Sequence, residues 1–396
     1  MILPLEDVRV LDLTQVMAGP FCSMVLADLG ADVVKIEPPG TGDQARTSIG
    51  LSMKGEDTAA FLAVNRNKRS ATLNLKSDEG RALFCRLAGT ADVVVENFRP
   101  GVTRKLGVDY DALRKVNPRL IYASISGFGQ TGPYAQRPGY DLIAQGMAGV
   151  MSVTGEPGGN PVKCGIPIGD LGAGLFCATA ILSAYIGRAK TGRGQYIDTS
   201  LFEAALALSV WESAELWATG QVPQPVGSAH RFSAPYQALR TSDGYLTIGG
   251  NNQRLWTRLC DVIDRPELAD DERFATNGDR LANRPQLVRE LEAALEGRTT
   301  AEWVDAFLDA GVPAGPISNY EQVFDDPHTK AREMVVEVEH PVEGTVRALG
   351  IPVKLSDTPA RIRRPAPLLG QHTREVLNEL GVGAAELRRL AAREAI

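Results

Sequence analysis

Residues 8–37 read VRVLDLTQVMAGPFCSMVLADLGADVVKIE, and the reading of this stretch decides the fold class. Two short runs rich in Val, Ile and Leu, 8–14 and 31–37, enclose a segment with helical patterning. Such runs show little polar alternation, which suits strands buried on both faces of a parallel sheet. The pattern continues through ATLNL (71–75), ADVVVENF (91–98), LIYASISG (120–127) and QYIDTS (195–200). Amphipathic segments lie between them. In SDEGRALFCRLAGT, for example, Ser77 is a cap and Gly89 a stop. A strand–helix–strand rhythm of this kind predicts an α/β fold with a doubly wound, mostly parallel sheet and right-handed crossovers.

The Pro-, Gly- and Ser-rich segment QVPQPVGSAHRFSAP (221–235) interrupts this rhythm. It is followed by GYLTIGGNN and three helical patterns that begin near Gln253, Arg284 and Thr300. The expected division is a large α/β domain over 1–224, a smaller α+β domain over 225–330, and a C-terminal segment over 331–396. Within that last segment, MVVEVEHP and TVRALGIPVKL read as a strand pair and TREVLNELG as the start of a helix.

The 396 residues, 44% hydrophobic, supply ample core, and a net charge of −6 argues against a nucleic-acid groove. Five scattered cysteines (Cys22, Cys85, Cys164, Cys177, Cys260) do not suggest a disulfide framework and fit a reducing cytoplasm. Four isolated histidines give no zinc-ligand spacing, so no metal is expected. The N-terminal residues lack a basic n-region, which argues against an ordinary secretory signal. No long uncharged apolar run stands out, so neither a membrane span nor a membrane partner is expected.

In open parallel sheets, ligands bind outside the carboxyl ends of the strands. Three turns fall there: Gln15–Gly19, Asn97–Gly101 and Gly127–Gln130. Arg99, Arg104 and Lys105 are candidates to meet phosphates. Residues 127–132 spell G-x-G-x-x-G, but Pro133 and Pro138 block the helix that a dinucleotide site needs, so nicotinamide chemistry is rejected. Asp170, in GIPIGDLGAGL, precedes the apolar stretch LFCATAILSAYIG. On local sequence alone a helix N-cap is a better reading of it than a nucleophile. The same helix N-terminus would favour an ionised carboxylate.

Taken together, TQVMAGPFCSMVLADLGADVVKIEPPGTGD, NRNKRSATLNLKSDEG, ADVVVENFRPGV, SISGFGQTGPY, GIPIGDLGAGL and TGRGQYIDTSLFEA resemble the family III CoA-transferases, the formyl-CoA and carnitine CoA-transferase group. SAPYQALRTSDGY and PAPLLGQHT extend the resemblance over essentially the whole chain. It implies a Rossmann-like large domain, an interlocked homodimer, a chain end that returns to the large domain, and coenzyme A as substrate. It places the nucleophile on Asp170. The CoA contacts fall on Val16, Met17 and Ala18, on Leu73, Asn74, Leu75 and Lys76, on Asn97, Phe98 and Arg99, on Lys105, and on Arg137, Pro138, Gly139 and Tyr140. Gln15, Tyr140 and Asp141 fall on the substrate side, and Gly249 and Gly250 are the oxyanion-hole candidates.

Formyl-CoA transferases carry Gln in place of Met17 and Arg in place of Pro38, and have a glycine-rich lid that this chain lacks between Arg231 and Gly244. These departures argue against an oxalate-specific formyl-CoA transferase. Related α-methylacyl-CoA racemases carry His in place of Tyr140, and a tyrosine with a pKa of about 10 is a poor proton shuttle. Transfer is therefore favoured over racemisation. GSAHRFSAPYQALRTSDGYLTIGGNNQ resembles dicarboxylate-using members, such as succinate–hydroxymethylglutarate CoA-transferases, more than the oxalate enzymes; His230 and Arg231 are then candidates to meet the distal carboxylate of a dicarboxylic acyl group, with an interface or surface His beside a hinge as the equal alternative.

Overall fold

The computed structural model describes residues 2–396; Met1, the first residue of the expected large domain, lies outside the described residues. Six strands, β1 (Arg9–Asp12), β2 (Asp32–Glu37), β3 (Lys68–Thr72), β4 (Val93–Glu96), β5 (Ile121–Ser126) and β6 (Tyr196–Ser200), form one sheet. Their order is β3-β2-β1-β4-β5-β6 and every pairing is parallel. Alternate residues of a strand face opposite sides, and both sides are covered. Val10, Val33, Val93 and Ile121 pack with Cys22, Leu26, Ala173, Cys177 and Ile181. On the other side Leu11, Val34, Val94 and Tyr122 pack with Phe84, Leu87, Leu113, Val376 and Leu377. This is a doubly wound sheet. Its strand order reverses between β1 and β4, and there the carboxyl ends open a crevice.

β3 begins three residues earlier than 71–75, at Lys68, because two buried cations make its first half look like a loop. Lys68 Nζ lies 3.0 Å from Asp12 Oδ2, both fully buried, and Arg69 bridges Asp32, Glu375 and Glu379. Burial pulls the Lys68 ammonium down to about 8 despite Asp12 beside it. Burial alone would raise the Asp12 carboxyl, but Lys68, Lys35, Ser23 and Thr14 hold it at about 2. Breaking one member of such a pair strands the other charge. Asp12→Ala is therefore expected to destabilise the protein by about 3–5 kcal/mol in urea unfolding. A loss below about 1 kcal/mol would contradict that pairing.

The chain forms two compact units. The larger runs up to Val150 and includes Lys163–Ala214 and Pro327–Ile396; the smaller holds Met151–Val162 and Glu215–Asp326. In the larger unit β10 (Val335–His340) and β11 (Gly344–Leu349) pair antiparallel, and the helix Thr373–Glu379 packs beside β3. Ala395 accepts a hydrogen bond from Asn74 N at 2.9 Å, which fastens the chain end to the 73–76 turn. In the smaller unit β7 (Tyr236–Arg240), β8 (Tyr245–Gly249) and β9 (Ala314–Pro316) form an antiparallel sheet. Its core holds Trp256, Phe274, Trp303 and Phe307. Helices begin at Gln253, Arg284 and Thr300, as their patterns predict.

Among the described residues one helix, Ile168–Thr191, is long and apolar enough by length and composition to cross a membrane, which the sequence pattern did not anticipate. Its small residues Gly172, Ala173, Gly174, Cys177 and Ala178 are buried. They let it press onto the Ala18–Asp28 helix, where a Cβ on Gly174 would stand 2.8 Å from the Ala18 carbonyl oxygen. Close core packing accounts for that face.

Candidate active site

The turn joining β1 to the helix Ala18–Asp28 is fixed by side chains from elsewhere. Gln15 N donates to Asn97 Oδ1 at 2.8 Å, and Asn97 Nδ2 donates back to the Gln15 carbonyl at 2.8 Å. Val16 N donates to Asp43 Oδ1 at 3.0 Å. Val16 itself has φ 70, the left-handed region. A β-branched residue there costs about 1–3 kcal/mol and persists only where its surroundings impose it.

Beside this turn lies a cavity of about 760 Å³, lined by Leu13, Gln15, Glu37, Leu73–Lys76 and Phe98 among others. The structure thus brings together Gln15, Leu73, Asn74, Leu75, Lys76 and Phe98. Asn97 enters indirectly, through its grip on Gln15. Lys76, Arg99, Lys105 and Arg137 are exposed at the surface, and Arg137 stacks its guanidinium 3.7 Å from the Tyr134 ring centre. The Pro138–Tyr140 segment is seated by Gly127 and Gly139. A Cβ on Gly127 would come 2.8 Å from Gly139 Cα, so both positions require glycine. Tyr140 is 70% exposed, open to a ligand.

Asp170 is not the N-cap. The helix begins at Ile168 after Pro167, which places Asp170 in its first turn. The cap comes from 28 positions upstream of Gly169: Asp141 Oδ1 accepts from Gly169 N at 2.8 Å, with Asp170 N at 3.4 Å. Asp141 Oδ2 accepts from Gln145 Nε2 at 2.7 Å, and Gln145 Oε1 accepts from Cys164 N at 2.8 Å. Fully buried Gln145 therefore ties the cap to the 164–169 loop. Asp170 lies one turn before Gly174, on the helix face that meets Ala18. Its carboxyl is pushed up to about 7, first by burial and second by the negative charge of Asp141. The helix N-terminus does not overcome these two effects, so ionisation at neutral pH is only partial.

His230, Arg231, Gly249 and Gly250 belong to the smaller unit. Gly249 N donates to the Pro313 carbonyl and Gly250 N to the Pro235 carbonyl, each at 2.9 Å. Both amides are already engaged, so neither serves as an oxyanion donor in this arrangement. Arg231 pairs with Glu215 at 3.1 Å and donates to the Gln224 carbonyl at 2.8 Å. His230 Nδ1 accepts from Phe232 N at 3.1 Å.

Three further groups escaped the sequence reading. Asp43 sits in a polar stretch that looks like an ordinary loop. Gln145 is one amide in a helical pattern. Glu96 ends β4 as an apparent solvent-facing acid, yet it is buried, bonds Ser124, and accepts from Phe98 N at 2.8 Å. Burial, with Asp198 nearby, pushes its carboxyl up to about 7.

A half-buried carboxylate in the first turn of a helix packed on the Ala18–Asp28 helix, together with a cavity at the sheet's switch point, gives this α/β unit the layout of a ligand-binding site. The chain belongs to CoA-transferase family III, whose model matches residues 5–373. It is therefore a CoA-transferase, and CoA thioesters are its substrates. It is 40% identical to the human succinyl-CoA:glutarate CoA-transferase, over 95% of this chain and 86% of that one. It is 43% identical to the acetyl-CoA:oxalate CoA-transferase of Acetobacter aceti, over 99% and 97%. Among solved structures, a CaiB/BaiF family protein from Brucella suis is 42% identical and superposes with a TM-score of 0.85, covering 96% of this chain and all of that one.

Proposed function

We propose that this enzyme moves CoA from succinyl-CoA, or another dicarboxylic acyl-CoA, to a second carboxylic acid through covalent intermediates on Asp170. An Asp170 oxygen attacks the thioester carbonyl; the C–S bond breaks and the CoA thiolate leaves a mixed anhydride. The thiolate attacks the Asp170 carbonyl carbon, giving an aspartyl-CoA thioester and free succinate. The acceptor carboxylate then displaces the thiolate from that carbon, forming a second anhydride. Attack by the thiolate on the acceptor's acyl carbon releases the new acyl-CoA and restores Asp170. One thioester replaces another, no net proton moves, and no ATP is required.

The observation that carries this reading is the half-buried Asp170 carboxyl in the first turn of a helix whose start is capped by Asp141 through Gly169 N. Burial also keeps water from an anhydride. The cavity beside the Val16 turn takes the CoA moiety, with Leu73–Lys76 along its wall. The relatives' names support dicarboxylic partners, and similar identities to glutarate and oxalate enzymes do not rank the acceptors.

Incubation with succinyl-CoA and no acceptor should give a peptide containing Asp170 that carries CoA less one water, seen by mass spectrometry. Turnover without any such adduct would favour direct transfer. Across a panel of acids, dicarboxylates should be the better acceptors.

The larger unit also supports a homodimer: Leu142, Ile143, Met147, Leu175, Phe176 and Ile186 are all exposed, more apolar surface than a lone unit needs. A role for His230 and Arg231 toward a distal carboxylate is less favoured, given Arg231's internal partners. Arg231→Ala should lower the melting temperature through its lost bonds to Glu215 and Gln224, while succinate KM changes less than twofold. A tenfold rise in KM would instead place Arg231 on the substrate.

A further inference from the structure

The strained Val16 turn is clamped on its successive backbone groups, and one clamp reaches directly into the cavity wall. Lys35 Nζ, fully buried on β2, donates to the Thr14 carbonyl at 2.7 Å and stands 2.8 Å from Asp43 Oδ2. Asp43 Oδ1 holds Val16 N. Asp43 N in turn donates to Glu37 Oε1 at 3.0 Å, and Arg46 Nε to the same oxygen at 2.7 Å. Glu37, Pro38, Pro39, Gly40 and Thr41 all line the cavity. One short loop therefore forms cavity wall along its length and, at its end, carries the carboxylate that imposes the left-handed conformation on Val16.

We infer that Asp43, anchored by Lys35, is a positioning residue that couples occupancy of the cavity by the nucleotide end of CoA to the geometry of the turn that opens the Ala18–Asp28 helix, against which the Asp170 helix packs. The inference rests on the reading that CoA fills this cavity. Neither residue touches the reacting atoms. Asp43 acts on Val16, two residues before Ala18, whose carbonyl oxygen meets Gly174 one turn along the helix from Asp170. Left to itself, a β-branched residue leaves φ 70 for the extended region, and the turn with it. A ligand that packs against residues 37–41 steadies the loop, and Asp43 transmits that order to Val16. Binding energy from a part of the substrate remote from the reaction then appears in kcat rather than in KM.

The test compares succinyl-CoA with succinyl-pantetheine, which lacks the nucleotide. Wild-type enzyme should show a kcat at least tenfold lower with the truncated donor. Asp43→Asn cannot present an acceptor to both Val16 N and Lys35 Nζ. Its kcat with succinyl-CoA should fall to the pantetheine level, its kcat with succinyl-pantetheine should change less than twofold, and its Kd for CoA by calorimetry less than threefold. Val16→Gly accepts φ 70 without strain, so it should narrow the kcat gap between the two donors even if the Asp43 variant fails to fold.

Equal losses on both donors in Asp43→Asn, or an unchanged gap in Val16→Gly, would overturn the inference. Leu75→Trp, which fills part of the cavity, separates this from the underlying reading. If it leaves Kd for CoA unchanged, CoA does not occupy the cavity and both fall. If it weakens CoA at least tenfold while the donor pattern is absent, only the coupling falls.

Discussion

Replacing Asp170 with Ala or Asn is expected to lower CoA transfer at least a thousandfold, about 4 kcal/mol of barrier, with the CoA Kd changed little. The large figure follows from the proposed chemistry, in which Asp170 carries every covalent intermediate and no neighbouring acid replaces it. Asp141 is occupied with Gly169 N and Gln145. The Asn variant carries a second, independent signature. The folded carboxyl titrates at about 7 against about 3.9 in an unfolded chain. Between these values the unfolded state has lost its proton and the folded state has kept it, so this group makes stability fall as pH rises. The penalty is complete above pH 7 and absent below about pH 4. Asp170→Asn removes it, and should therefore raise the melting temperature at pH 8 while leaving it unchanged near pH 4. The distance between the folded and unfolded values caps the gain at about 4 kcal/mol. Activity within tenfold of wild type would remove Asp170 from the mechanism; a melting temperature unchanged at pH 8 would mean its carboxylate is not strained by burial.

The sheet was legible because parallel strands buried on both faces write themselves as unbroken apolar runs. The exception, the start of β3, hid behind Lys68 and Arg69. Their charges are neutralised by Asp12, Asp32, Glu375 and Glu379, residues scattered over the whole chain. Local periodicity has no access to such partners. The same limit applies at the site. Asp170 was marked by its glycine-flanked segment and assigned by resemblance, but its cap, Asp141, comes from another helix. The engaged amides of Gly249 and Gly250 are likewise set by Pro313 and Pro235, remote in sequence. The Val16 strain depends on Asp43, 27 positions away, and nothing in TQVMAG announces it. What the sequence pattern encodes is the frame; long-range pairings among buried polar groups supply the tuning.

That tuning has a direct kinetic consequence. Only ionised Asp170 can attack a thioester, and burial together with Asp141 holds its carboxyl at about 7. Well below that value the nucleophilic fraction falls tenfold per pH unit, so kcat/KM for the acyl-CoA donor should drop about fiftyfold between pH 7, where half the carboxyl is ionised, and pH 5. Asp141→Asn keeps a carbonyl oxygen for Gly169 N but removes the like charge. The acidic limb should then move to lower pH, yet not as far as an exposed carboxyl's value of about 3.9, because burial is the larger cause and survives the substitution. The same change puts an NH₂ where Gln145 Nε2 now finds an acceptor, so the 164–169 loop loses a tie. The variant should therefore combine a higher relative rate at pH 5 with a lower maximum above pH 8. Initial rates from pH 5 to 8.5 with saturating acceptor test both halves. A wild-type profile flat across that range would show Asp170 ionised throughout, and an Asp141→Asn limb unmoved from wild type would remove Asp141 as a cause of the raised value.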